Sequence, residues 1–387
     1  MKKCIIVSFL FALFFIGCKR EPFDSKETKV DKNELNLLSS YFKHLKIETI
    51  SPVFIGDSSS GYQDMLRKRK RADLIHLRDS SWISGGGKSS FYKSDEMIVT
   101  PSNSSFIYPG AILKASSIVT DQFETLFGYE RAPISVQLSF PSSLSIGTIP
   151  IPSLSNSRIF LRNALMAPDF SGLNIVDFSQ YLSAFSKYEE VKFAFGYNVN
   201  EKRLFSSTNS SFDYNFNSIN YSTKIMASYT VKNFTYKMSD PTSAELIDVS
   251  AISPNIFSGV SPVYVNSVTY GRFGLLVLES NNNSYNMKSA FEKVVKKILK
   301  KTSESYTQEE KSLFSNCRIT VYLLGSPMGN NLVQLLINPN PESLSDFISE
   351  NVGVFTASDP GVPISYTANY LKDNSRFETT FKIDFPN

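Results

Sequence analysis

One succession of segments constrains the fold more than any other: PVYVNSVTYGRFGLLVLES (262–280), then SYNMKSAFEKVVKKILKKT (284–302), then CRITVYLLG (317–325). The outer two are rich in β-branched and aromatic residues and read as strands. The middle one does not. Met287, Phe291, Val294, Val295, Ile298 and Leu299 recur at spacings of three and four, which is one face of a helix, while Lys288, Lys293, Lys296, Lys297, Lys300 and Lys301 fill the other. A helix between strands ordinarily covers a sheet. Two more strand candidates are PISVQLSFP (133–141) and TKIMASYTVKNFTYKM (223–238), the latter with Ile225, Ala227, Tyr229 and Val231 on one face. Strands this long suit an extended, bent antiparallel sheet. Between them the patterning gives short helices over SRIFLRNALMA (157–167, stopped by Pro168) and DFSQYLSAFSKY (177–188). From 141 to 186 only Arg158, Arg162, Asp169 and Asp177 carry charge, which fits helices packed on a sheet and also a segment that enters lipid.

The 387 residues are enough to bury a large core, and 20% charged with 13% aromatic residues points to an exported β-rich protein rather than a disordered one. A net charge of +4 gives no global field for nucleic acid. The dense run RKRKR (67–71) reads as a solvated face. Enzyme chemistry finds little to work with, and neither a cofactor nor a metal is expected. His44 and His76 are the only histidines, too few for an ordinary zinc site. GGGKSS (85–90) has Trp82 where a phosphate loop needs glycine and reads as a turn. GDSSSG (56–61) places Ser58 in a serine-glycine loop with no motif-matched histidine.

At the N-terminus, MKKCIIVSFLFALFFIGC has the form of a cleaved export signal: two lysines, an apolar run and a small residue before Cys18. With Gly17 before it, Cys18 resembles the lipid-modified cysteine of a bacterial lipoprotein signal (1–18). The polar stretch that follows reads as a flexible tether within 19–50. Cys317 is then the remaining thiol, expected as a small buried hydrophobe.

FIYPGAILKAS (106–116), KIMASYTVKNFTYKMS (224–239), PVYVNSVTYGRFGLLVLES (262–280), NMKSAFEKVVKK (286–297) and GVPISYTANYLKDN (361–374) occur in order and resemble successive segments of the thiol-activated, cholesterol-dependent cytolysins. The resemblance covers roughly 100–374. It implies an α+β fold of the perforin/cytolysin type: a bent, twisted four-stranded antiparallel sheet flanked by two helical clusters, with an elongated β-rich connecting region. The core is expected over 51–374, the clusters over 142–196 and 284–317, and a short return strand over 375–387. In that family each cluster refolds into a β-hairpin of a membrane-spanning barrel. The resemblance therefore makes Phe160, Leu161, Phe178, Leu182, Phe291, Val295 and Leu299 candidates for membrane insertion, with Gly271, Gly274 and Gly325 as hinges. The family's usual glycine pair is broken here, Ser326 following Gly325.

Read with period two, Phe291, Lys293, Val295, Lys297 and Leu299 share one face and Val294, Lys296, Ile298 and Lys300 the other, so neither face is cleanly apolar. The family's tryptophan-rich, sterol-binding C-terminal domain has no counterpart in this sequence, whose one tryptophan is Trp82. The expectation is a short cytolysin-like protein that oligomerises on a target membrane, with itself or with a longer companion. It would be secreted or lipid-anchored at the bacterial outer membrane or cell surface. The alternative is a non-lytic surface lipoprotein that uses the fold for adhesion or assembly.

Overall fold

The computed structural model describes residues 45–57, 75–185, 221–241, 246–248, 257, 260–282, 284–300, 305–326, 329–352 and 354–386. Strands β1 (Val53–Asp57), β2 (Ile75–Ser81), β3 (Gly87–Ser94), β4 (Met97–Ile98) and β5 (Ile112–Lys114) precede helix α1 (Ala115–Val119). Then come β6 (Glu130–Arg131), β7 (Ile134–Leu138), β8 (Ile146–Ile149), helix α2 (Leu154–Leu165), β9 (Asp177–Ala184), β10 (Thr223–Met238), β11 (Ile247–Asp248) and β12 (Pro262–Ser280). Helices α3 (Ser284–Lys300) and α4 (Gln308–Phe314), strands β13 (Cys317–Ser326) and β14 (Gly329–Ile337), helix α5 (Pro341–Val352), and strands β15 (Val362–Tyr370) and β16 (Thr379–Pro386) complete the order.

The architecture hangs on β10 and β12, which run antiparallel from Thr223 opposite Ser280 to Lys237 opposite Ser267. Their outer partners change half-way. β12 pairs with β13 over Phe273–Ser280 but with β15 over Val263–Gly271. On the other side, β10 pairs with β9 over Ile225–Lys232 but with β7 over Tyr236–Met238. Both exchanges fall at one level, beside a register shift between Lys232 and Phe234. An extra residue in one strand bends it and raises its twist. The result is the expected bend, with β9-β10-β12-β13 above it. A fifth strand, β14, covers the β13 edge from Ser326 opposite Gly329 to Arg318 opposite Ile337.

Above the bend both faces of the sheet are buried. Ile225, Ala227, Tyr229, Val231, Leu276, Leu278, Ile319 and Val321 lie under Met287, Phe291 and Val294 of α3 and Leu344 and Ile348 of α5. The alternate residues Met226, Leu275, Val277 and Tyr322 pack on Phe381 and Ile383 of β16. That strand falls within 375–387 and is laid between β1 and β3 in a second sheet of order β1-β16-β3-β2.

The helix expected over 177–188 is corrected: 177–184 is strand β9. Phe178, Tyr181, Leu182 and Phe185 have helix-like spacing, but the β10 edge offers unpaired backbone groups over Ile225–Lys232, and pairing there satisfies both chains. As in any strand, neighbours point to opposite faces: Tyr181 packs with one core cluster and Leu182 with the other. The span 142–196, expected as the first helical cluster, therefore includes β8, α2 and β9. Helix α2, opened by Ser153 accepting a hydrogen bond from the Asn156 N–H, lies against the lower half of the sheet. There Leu161 joins the core around Tyr236 and Met238, and Phe160 stacks on Tyr236 with ring centres 5.8 Å apart. The connection between the adjacent strands β9 and β10 is 185–222, of which 186–220 lies outside the described residues. Cys18, the tether up to residue 44, His44, Ser58 and the run 67–71 also lie outside them.

Candidate functional site: the bend and the helices above it

At the bend, backbones approach too closely for side chains. A Cβ on Gly271 would stand 2.0 Å from the Val231 carbonyl oxygen, so β10 and β12 touch here only because residue 271 is glycine. Gly274 leaves room for the Tyr229 ring, which a Cβ would meet at 2.1 Å. Gly325, near the end of β13, has φ +78°, a left-handed conformation, and its missing Cβ would lie 2.9 Å from the Gly271 oxygen. The three expected hinge residues thus gather where β12 changes partner.

Arg272 sits among them with a side chain only 1% exposed. Its Nε donates to the Gly325 carbonyl at 2.9 Å, its terminal nitrogens donate to the carbonyls of Val352 and Val354, and one of them pairs with Asp359 Oδ2 at 2.6 Å. The guanidinium also lies 4.4 Å from the Phe355 ring centre. Burial lowers its pKa and Asp359 opposes that shift. Five fixed N–H donors let one arginine hold separate backbones. Here it ties the bend to the end of β13 and to the segment following α5. Sequence reasoning missed this latch; the only sign of it was a lone arginine among apolar residues in YGRFG.

Over the upper sheet, Met287, Ala290, Phe291, Val294 and Val295 of α3 are buried. Each of the four larger side chains contributes about 1.5–3 kcal/mol of burial. Phe291 and Val295 are thus core residues in this form, while the Leu299 side chain lies outside the described ones. Lys293 clasps α3 to α4 through Glu310 at 3.0 Å, and Thr307 and Glu310 form a reciprocal cap on α4. Tyr306 reaches Ser345 of α5 at 2.7 Å, and Lys311 pairs with Glu342 at 3.0 Å. Of the other insertion candidates, Leu182 of β9 packs against this same cluster, Phe178 lies on the same strand, and Phe160 and Leu161 lie below the bend. Helices over the sheet are therefore held by a few polar clasps and one apolar stripe.

Where the β12–β13 pair meets the helices, Glu279 is fully buried and accepts from Arg318 Nε at 2.5 Å. Among the described residues its Oε1 has no hydrogen-bond partner. Burial raises its pKa, with Arg318 pulling the other way. Next to it the Cys317 thiol is buried and pushed up to about 12, so it is a packed hydrophobe, as expected. No group of metal-ligating side chains is found among the described residues, and no helix among them is long and apolar enough to cross a membrane, which says nothing of a β-barrel.

A family model described as thiol-activated cytolysin matches residues 87–385. Pneumolysin of Streptococcus pneumoniae serotype 4 is 28% identical over 298 residues, which cover 73% of this chain and 60% of pneumolysin. Perfringolysin O of Clostridium perfringens is 24% identical over 290 residues, 72% of this chain and 56% of that protein. The chain therefore spans about 60% of the length of the curated relatives it matches. The crystal structure of listeriolysin O shares the fold, with a TM-score of 0.66 over 93% of this chain and 74% of that one at 19% identity.

Proposed function

Because this chain belongs to the thiol-activated cytolysin family, we propose that it forms pores, refolding the connections above its bent sheet into membrane-spanning β-hairpins within an oligomer. The observation that carries this reading is the register of β12 and β13. Ser280 faces Cys317 and Glu279 faces Arg318. Continuing that ladder through 281–316 puts the turn at Ile298–Leu299 and gives two arms, each longer than the roughly 9–11 residues that a transmembrane strand needs. It also sets Phe291 opposite Tyr306 and Lys288 opposite Glu309. Lys293 would exchange Glu310, its partner in the helical form, for Glu304.

Four of the lysines fall beside the turn in this register. Lys296, Lys297, Lys300 and Lys301 flank the turn, where they meet headgroups and water beyond the bilayer rather than its midplane, at which each would cost about 2–4 kcal/mol. One face of the paired arms then carries Tyr285, Met287, Phe291, Val295, Tyr306 and Phe314, together with Lys293, Glu304 and Glu310. The other carries Asn286, Lys288, Ala290, Glu292, Val294, Ser303, Ser305, Thr307, Glu309, Lys311 and Leu313. A barrel strand facing lipid on one side and water on the other needs a division of this kind; on the first face Lys293 is met by Glu304 directly opposite, and Glu310 lies opposite Met287. We place the first hairpin in the 185–222 connection, since it leaves the same end of the sheet as the second. The glycines and the Arg272 latch are the devices that hold the sheet bent until insertion.

Assembly is proposed with copies of this chain or with a longer companion of the family, and lipid attachment at Cys18 as one route to a membrane. Incorporation of labelled palmitate, lost in Cys18→Ala, tests the anchor. Release of dye from liposomes, by the chain alone and mixed with a full-length family member, tests the function. Neither release nor ring-shaped oligomers in either mixture would favour the non-lytic lipoprotein.

A further inference from the structure

A cleft of about 430 Å³ opens where helix α2 faces the bend. Leu161 and Leu165 of α2 form one wall, and Tyr270, Leu324 and Val362, from three strands that meet at the bend, form the other. Arg158 and Arg162 also line it, and no carboxylate does. One helical turn apart, their side chains lie on the same face of α2. They are the only cations between residues 141 and 186. Both are exposed, and among the described residues neither has a carboxylate partner. Asp169, the nearest acid in sequence, is engaged with the Ser143 N–H and hydroxyl. The Arg158 charge is felt by the Tyr270 phenol inside the cleft, where it opposes the rise that burial causes.

We propose that this cleft binds a single-chain anionic amphiphile, an oxyanion head on an alkyl chain, whether free in solution or drawn from a bilayer. Its volume lies in the range of small-molecule sites, roughly 300–1,000 Å³, and its lining is mixed, with somewhat more polar than apolar surface. Two guanidinium forks suit a carboxylate or phosphate head, which can accept paired hydrogen bonds. The leucines, Val362 and the Tyr270 ring suit the chain. Inorganic phosphate alone would leave these walls unused, and a neutral amphiphile would leave the two guanidinium groups unpaired. The site bridges α2, below the bend, and Leu324, where β13 reaches the bend from above, so an occupant holds the bend closed. This last consequence rests on the pore-forming reading; the binding itself does not.

The test is calorimetric titration of the full chain with decanoate and with decyl phosphate below their micelle concentrations. Decyl maltoside, decyltrimethylammonium and inorganic phosphate serve as controls. The expected result is one saturable site for each anionic amphiphile, at least tenfold weaker in Arg158→Gln/Arg162→Gln. It should also be blocked in Ala357→Trp, which fills the cleft from the opposite wall while leaving both arginines in place. Unchanged affinity in both variants, or equal affinity for decyl maltoside or inorganic phosphate, would overturn the proposal. Mass spectrometry of protein re-isolated from phosphatidylcholine vesicles with and without oleate decides the source. Retained oleate means that the bilayer supplies the ligand, and binding only from solution means a free amphiphile. Dye release slowed by decanoate in the wild type alone would link the cleft to the bend. Decanoate binding without any dye release would leave the site intact and remove the pore-forming reading instead.

Discussion

Replacing Asp359 by asparagine removes one charge from the latch and keeps its shape. The Arg272 side chain is 1% exposed and that of Asp359 is 37% exposed, so the pair lies between two regimes. An exposed ion pair contributes at most about 1 kcal/mol, whereas removing one partner from a buried pair costs about 3–5 kcal/mol. The other hydrogen bonds of Arg272, to the carbonyls of Gly325, Val352 and Val354, remain. A loss of about 2 kcal/mol is therefore expected, roughly 30-fold in an opening equilibrium at 1.4 kcal/mol per tenfold. Because those carbonyls belong to the end of β13, the last residue of α5 and the segment after it, the loss should be local. Hydrogen exchange is the assay. Amides of the last turn of α5 and of 354–361 should exchange about 30-fold faster in Asp359→Asn, with those of β7 and α2 unchanged. Arg272→Lys, a point charge without the fork, should accelerate the same amides at least as much. No acceleration, or the same acceleration everywhere, would show that Arg272 does not act as a latch between these segments.

Three other perturbations address the rest of the account. Gly325→Ala forces a side chain into φ +78° and to within 2.9 Å of the Gly271 oxygen, so unfolding in urea should show a loss of about 1–3 kcal/mol; an unchanged midpoint contradicts the close approach. Glu279 has a folded-state pKa raised above its ordinary 4.5, so between the two values the folded chain holds more protons and stability falls as pH rises. Glu279→Gln should flatten that dependence, and an identical pH profile in the variant would remove Glu279 as its source. Lys288→Glu should slow permeabilisation through a like-charge cross-strand pair, and Glu309→Lys added to it should restore the rate, since such pairs are worth about 0.2–1 kcal/mol; failure of the double variant to recover would refute the proposed register.

Much of this architecture was legible because its elements are long. β10 and β12 alternate over enough residues to declare both faces, and α3 carries its apolar stripe without interruption. β9 was misread because four apolar residues happen to satisfy helical spacing, and only the open edge of β10 decides the matter. Strand β14 carries the apolar residues Leu332, Val333, Leu335 and Leu336, and its place on the β13 edge is a tertiary fact. The latch was hidden by distance along the chain: Asp359 is 87 residues from Arg272. Hinge glycines were located by resemblance; the reasons they must be glycine are the Val231 oxygen, the Tyr229 ring and a positive φ, none of which has a local signature. Lys293 shares the Phe291–Val295 face wherever the turn falls, and only the β12–β13 register, continued as proposed, brings Lys296, Lys297 and Lys300 beside a turn at 298–299.

The central claim is that α3 leaves the sheet and becomes strand. A disulfide between a cysteine at Ala290, on the buried face of α3, and one on the facing stretch of β10 holds the helix down without deleting its contacts. The β10 position is chosen so that the two Cα atoms lie within about 7 Å, and Cys317→Ser prevents mispairing. Dye release from liposomes is measured for the oxidised and the reduced protein, with a full-length family member present where release requires one. The account predicts that release is abolished in the oxidised form, with the monomer fold unchanged by circular dichroism, and returns on reduction. Full release by protein verified to be oxidised would contradict it, and α3 would then be a cover for the sheet and nothing more.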